Sequence, residues 1–171
     1  QVTSVSGQLT DHFNPANRTV NLSEPVYATN SIAAAAVAAH ECGHAVQHKV
    51  GYSMLQLRTK MVPIVSLASN TINWLLVAGI VLYEVTPLPL YIALALFAMT
   101  VLFSFVTLPV EVDASRRATK WLETSGIVSG EQLTYAKDAL RAAAYTYVVA
   151  AVGSLATLIY YAGMFLGGRG G

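Results

Sequence analysis

The sequence has 171 residues, which fits one domain, and a net charge of +1. Hydrophobic residues make up 54% and charged residues only 11%, against about 25% charged in ordinary globular domains. That balance argues against an ordinary soluble domain and offers no basic footprint for a nucleic-acid partner, while the lone Cys42 excludes an intramolecular disulfide.

Residues 1–30 are polar and rich in turn formers. Val2 to Leu9 alternates weakly, Asp11 to Asn17 is dense in turn residues, and Arg18 to Ser23 alternates again, so a short β-hairpin or two-stranded ribbon is expected. No basic n-region leads into an apolar stretch, so no signal peptide is read here. Asn30 or Ser31 can cap a helix over residues 31–50 of about five turns, interrupted only by Gly43 and stopped at Gly51.

Residues 61–110 contain one charge, Glu84, and split into the apolar blocks Met61–Tyr83 and Leu88–Val110 around a turn with Pro87 and Pro89. Each block can cross a hydrocarbon core of about 30 Å, so the pair reads as a transmembrane hairpin. Residues 111–141 are polar with a helical pattern, broken near Ser125-Gly126 and Ser129-Gly130. Residues 142–167 form a third apolar block, and Gly167 to Gly171 reads as a frayed tail. A hairpin returns the chain to its starting side. Lys49, Arg58, Lys60, Arg116, Arg117, Lys120, Lys137 and Arg141 therefore share a side with Arg18, and Arg169 lies opposite. The positive-inside rule makes the crowded side cytoplasmic.

His40-Glu41-Cys42-Gly43-His44 is an HExxH pattern within the predicted helix. Positions i and i+4 share a helix face, so both imidazoles can reach one metal, and the Glu between them can take a proton from metal-bound water. Zinc suits this donor set and brings the pKa of bound water to about 7. The pattern also arises by chance. Its uncharged flanks and the strand-like segment before it favour the metal reading.

A catalytic zinc needs a third protein ligand and one open position. Glu111 is the candidate, because it follows the hairpin and returns to the side of the HExxH helix. His48 lies one further turn along the same face, too far round two turns to converge easily, and reads as a surface or supporting group. The expected site is thus Glu41 as catalytic base, with His40, His44 and Glu111 holding one Zn2+ per chain.

Gly7-Gln-Leu-Thr-Asp11-His12, Arg18 to Glu24, Val37 to His48 and Leu108 to Arg117 together resemble the YugP-type membrane zinc metallopeptidases, over nearly the whole chain. Members usually carry a further N-terminal anchor helix, which this sequence does not include. More distantly, the layout is similar to the HtpX and CAAX prenyl protease group, with HExxH followed by a Glu ligand after a membrane hairpin. That group often reads Glu-x-x-Ala-Asp at its second motif. Carried over, the Glu matches Glu111 and the Ala matches Ala114. Ser115 stands where the Asp would orient a zinc-bound His, and it could accept that hydrogen bond more weakly. Asp113 projects away from Glu111 and reads as an ion-pair or capping partner for Arg116 or Arg117.

Other residues have plainer readings. Cys42 is expected to be a small packed residue. Tyr145, Tyr147, Tyr160 and Tyr161 read as belt residues of the third span, and Ser69, Asn70 and Asn73 as makers of interhelical hydrogen bonds. His12, Tyr27, Arg116 and Arg117 are unranked candidates for oxyanion stabilisation. The Arg18–Glu24 strand is a candidate platform for an extended peptide, by strand addition.

The expected architecture is a mainly α integral membrane protein. It has a zincin-like HExxH helix, a short N-terminal β-hairpin and about three transmembrane helices within one metallopeptidase domain, residues 1–171. The expected function is a multi-pass cell-membrane zinc metalloprotease acting on protein or peptide substrates from the cytoplasmic side. A non-catalytic scaffold that retains a metal and a protease with its HExxH helix in lipid are the alternatives. A transporter is disfavoured, because no charge sits at mid-span and no inverted repeat is visible. Lipid-facing surface on the spans could pack against copies of the chain or a membrane partner.

Overall fold

The computed structural model describes residues 1–167. In chain order the elements are β1 (Val2–Val5), β2 (His12–Asn14), β3 (Thr19–Ser23), α1 (Glu24–Ala28), α2 (Ile32–Lys49), α3 (Ser53–Val81), α4 (Leu88–Ser125) and α5 (Glu131–Gly167). Of the tail read as frayed, Gly167 closes α5, and the remaining residues, with Arg169, lie outside the described part. The chain divides into two compact units. The first is Gln1–Gln56 with Leu108–Thr146, and the second is Leu57–Thr107 with Tyr147–Gly171.

In the first unit a three-stranded sheet stands where a simple hairpin was expected: β2 and β3 pair antiparallel with His12 opposite Asn21, so His12–Asn14, read as part of the turn, is itself a strand. β1 adds to the other side of β3 in parallel, with Val2 opposite Val20. β3 is therefore the middle strand and all five of its residues are buried. This corrects the reading of Arg18–Glu24 as a peptide platform: strand addition needs unpaired backbone groups, and the free edges belong to β1 and β2. The short helix α1, which the sequence reading did not foresee, begins with Pro25 in its first turn. Asp11 ties the β1–β2 loop to that turn, accepting from the Ser23 amide at 2.8 Å and from its hydroxyl at 2.9 Å.

α2 begins at Ser31, whose hydroxyl accepts from the Ala34 amide at 3.1 Å. It ends in a Schellman closure: the Tyr52 amide bonds the Gln47 carbonyl at 3.0 Å and the Gly51 amide bonds that of His48 at 3.3 Å. Gly51 takes the left-handed conformation this turn requires, at φ +67°. Ala36 and Ala39 of α2 pack with Ala118 and Leu122 of α4, Val128 of the loop, and Ala136 and Leu140 of α5.

The second unit is helical. α3, α4 and α5 are the three helices among the described residues that are long and apolar enough to cross a membrane. α4 runs unbroken for 38 residues, from the apolar block through Pro109 into the polar segment that carries Glu111. A proline here removes one backbone hydrogen bond without ending the helix. α3 and α4 approach closely at Gly79, where an added Cβ would fall 2.5 Å from the Leu90 side chain. Ser69, Asn70 and Asn73 lie on the exposed face of α3 rather than in interhelical hydrogen bonds among the described residues. That corrects their expected role: the sequence spacing places them on one side of α3, but not on the side its neighbours cover.

Candidate metal centre and active site

Both predicted metal-site elements fall in the first unit. α2 carries His40, Glu41 and His44, and the polar part of α4 carries Glu111. Gly43 brings the two helices together. A Cβ on it would lie 2.6 Å from the Ala114 carbonyl oxygen, so only glycine allows this crossing. Ala114 is fully buried at the contact, one turn along α4 from Glu111.

The approach places one donor atom each from His40, His44 and Glu111 within 4.8 Å of one another. Glu111 Oε2 lies 3.1 Å from His40 Nε2 and 3.6 Å from His44 Nε2. Ligand bonds of about 2.0–2.1 Å in a tetrahedral zinc site set neighbouring donors roughly 3.3 Å apart, so this spacing fits such an ion. The two imidazoles stand edge to face, at 86° with centroids 4.8 Å apart. Glu111 is 2% exposed and His44 9%. A carboxylate and two imidazoles concentrated with so little water are costly unless a proton or a cation is shared between them.

Each imidazole is held through its other nitrogen. Ser115 Oγ lies 3.1 Å from His40 Nδ1, the contact expected from its place in the motif. Gln47 Oε1 lies 3.0 Å from His44 Nδ1. Gln47 has no part in the sequence reading. The available signal was its spacing, three residues after His44 and thus on an adjoining part of the same face.

Glu41 is buried, 8% exposed, and makes no hydrogen bond or ion pair with any described residue. Burial pushes its carboxyl above the usual range, only partly offset by His44 and His40. For His44, burial opposes the imidazolium, but the adjacent Glu111 carboxylate and Gln47 outweigh it, so its pKa stands above the ordinary value.

The remaining candidates separate clearly. His48 is outside the donor cluster, exposed, with its ring 5.5 Å from that of Phe13. Asp113 pairs with Arg117 at 2.7 Å and not with the donors. His12 is committed within the sheet, with Nδ1 2.7 Å from the Thr10 carbonyl and Nε2 3.1 Å from Asn21 Nδ2. Tyr27 is 55% exposed. Cys42 is exposed, which corrects the expectation of a packed residue: it faces outward between the buried Glu41 and Gly43.

Known proteins agree with this geometry. The family model described as "Putative neutral zinc metallopeptidase" matches residues 1–166. A Bacillus subtilis (strain 168) protein named "Putative membrane protease YugP" is 42% identical over 168 residues, covering 98% of this chain and 74% of that protein. No solved structure gives a significant match. With a matching family model over nearly its whole length and a two-His, one-Glu cluster of metal-binding geometry, the chain belongs to the neutral zinc metallopeptidase family, as a multi-pass membrane member.

Proposed function

We propose that residues 1–171 act as a single metallopeptidase domain. In it His40, His44 and Glu111 hold one Zn2+, and Glu41 is the general base for hydrolysis of peptide bonds in protein or peptide substrates. The observation that carries this is the cluster of three donors within 4.8 Å of one another, with Glu111 3.1 and 3.6 Å from the two imidazoles, beside an unpaired, buried carboxylate. Three protein donors leave a fourth position free, as a catalytic site requires and a structural site does not. When bound there, zinc supplies a water acidified to a pKa near 7 and a Lewis acid for the scissile carbonyl.

The chain's own residues do the rest. Glu41 lies between the two ligands on α2, and burial raises its carboxyl's proton affinity, which suits it to take a proton from the attacking water and return it to the leaving amine. Ser115 and Gln47 fix the rings that present Nε2 to the ion. α2 is not among the helices long and apolar enough to cross a membrane, which supports a site outside the hydrocarbon rather than within it. The basic residues flanking the spans support a cytoplasmic location for that site.

The test is Glu41→Gln in detergent-solubilised protein given an unfolded model protein as substrate. Zinc content should stay at one per chain while chelator-sensitive cleavage falls about 10²–10⁴-fold. Retained cleavage would remove Glu41 as the base. Equal zinc with no cleavage by either protein would favour a scaffold.

A further inference from the structure

The strongest unassigned feature is a buried polar chain that crosses from α2 to α4 behind the donor cluster. Gln47 is fully buried, at 0% exposure, in a helix whose other buried residues are mostly alanines, Gly43 and the site residues themselves. A buried primary amide must satisfy two N–H donors and an oxygen, or it costs free energy. Gln47 does so. Its Nε2 donates to the Val110 carbonyl at 2.7 Å and to Asp113 Oδ2 at 2.9 Å, and its Oε1 faces His44 Nδ1 at 3.0 Å. Asp113 Oδ2 is held in turn by Arg117 Nε at 2.7 Å.

These partners remove the ambiguity of an amide. A backbone carbonyl and a carboxylate can only accept, so the end of Gln47 that meets both must be the NH2. The end that meets His44 is then the carbonyl oxygen, which only accepts, and His44 Nδ1 must carry the hydrogen. A neutral imidazole with hydrogen on Nδ1 has its lone pair on Nε2, the atom that faces Glu111. Three acceptor-or-donor assignments therefore follow from one another without a free choice.

We infer that Gln47 is a positioning residue that sets the tautomer and ring plane of His44, with its own orientation fixed by Val110, Asp113 and Arg117 on α4. This rests on the reading of His44 as a metal ligand. One helix then performs two tasks: α4 supplies the ligand Glu111 and, from residues of the same turn, aims a ligand on α2. The His40 side is less constrained. Ser115 Oγ can either donate or accept, so it stabilises a ring orientation without dictating a tautomer.

Zinc affinity tests the role apart from catalysis. The full chain would be titrated in detergent against a competing chelator, as wild type, Gln47→Met and Gln47→Glu, with helical content checked by circular dichroism. Gln47→Met keeps the length and loses the acceptor, and its zinc affinity should fall about 10–100-fold. Gln47→Glu, buried against the Asp113 carboxylate, fits as the neutral acid: its O–H donates to Asp113 Oδ2 while its carbonyl oxygen remains an acceptor for the Nδ1 hydrogen, so it should recover most of that loss. The visible spectrum of the cobalt-substituted protein should change in Gln47→Met and stay near wild type in Gln47→Glu.

Wild-type affinity and spectrum in Gln47→Met would overturn the inference. Equal losses in both variants would reduce Gln47 to a packing residue and overturn it too. If Gln47→Met does not fold, the Glu variant decides: a weakened, spectrally altered site there counts against the inference and a near-normal one for it. Absence of stoichiometric zinc in the wild type would instead defeat the metal reading on which the inference rests.

Discussion

The two units of this chain differ in what they leave exposed. In the first, apolar side chains such as Val20, Leu22, Leu122 and Leu140 are inside, at 0–6% exposure, and charges such as Lys49 and Lys137 are outside. In the second, the small residues Ala68, Gly79, Ala93 and Ala151 are inside together with Leu90 and Val101, while Leu67, Trp74, Ile80 and Val149 stand 64–76% exposed. Only 11%, 28% and 6% of the apolar windows of α3, α4 and α5 are buried within the protein. Water would not tolerate that surface, but hydrocarbon does, and there small residues pack helices together because apolarity no longer distinguishes inside from outside. The same sequence thus obeys two solvents, and the His40, His44 and Glu111 donors lie in the unit that obeys water.

The sharpest way to break this comparison is to place one methyl group at the close helix approach in each unit. Gly43→Ala drives a Cβ to 2.6 Å from the backbone carbonyl of Ala114, which cannot swing aside. The expected cost is at least about 2 kcal/mol, near the upper part of the range for overpacking, and α4 must shift at the turn next to Glu111. Zinc should be lost as well as thermal stability. Gly79→Ala meets chiefly the Leu90 side chain, at 2.5 Å, with the Leu90 amide at 3.0 Å. A side chain can partly yield, so about 1 kcal/mol is expected, with zinc retained. Thermal unfolding with and without a chelator would read both. Equal zinc loss in the two variants would contradict the assignment of the site to the first unit alone.

How much of this was legible depends on the range of the interaction. The α2 cap at Ser31 and stop at Gly51 were readable because capping is local. His40 and His44 were readable because i,i+4 spacing guarantees a shared face. Glu111 is 71 residues from His40 and was reached only through the topological argument that a hairpin returns to its starting side. The parallel addition of β1 and the burial of β3 were not legible, since strand order is set by partners distant in sequence. Gln47 was missed for a similar reason. Its role is defined by Val110 and Asp113, more than 60 residues away, and a lone Gln on a helix usually means a solvated surface. Gly43 was noticed only as an interruption, because nothing local says that a backbone lies against it.

Proton competition sharpens the comparison next, since it acts on the water-obeying unit only. In the proposed site a metal must find His44 unprotonated, and its pKa is raised. Below that raised value, zinc must displace the proton, so its affinity should fall about tenfold per pH unit for this one group, and level off above it. Stability of the zinc-free protein should move the other way. His44 and Glu41 both hold protons more tightly folded than unfolded, so their joint contribution favours folding at low pH. For His44 it is fully present below the ordinary histidine pKa and is lost as pH rises through the raised one. Chelator-competition titrations between pH 5.5 and about 8, with unfolding of the zinc-free protein measured in parallel, should give opposite slopes. Parallel slopes would mean that another group controls binding.

The smallest expected effect comes from adjacent positions on α3. Leu67 is 64% exposed and Ala68 is 0% exposed, one residue apart in the same apolar helix. In a water-facing protein, truncating a core leucine costs about 2–5 kcal/mol and enlarging a surface alanine costs almost nothing. On α3 the alanine is the core residue and the leucine the surface one. Ala68→Leu has no room and should cost about 1–3 kcal/mol, whereas Leu67→Ala only exchanges one hydrocarbon surface for another and should stay within about 0.5 kcal/mol. Thermal unfolding in the same detergent would compare them directly. A larger loss for Leu67→Ala than for Ala68→Leu would show that this face of α3 is covered by protein, and the lipid-facing half of the comparison would have to be redrawn.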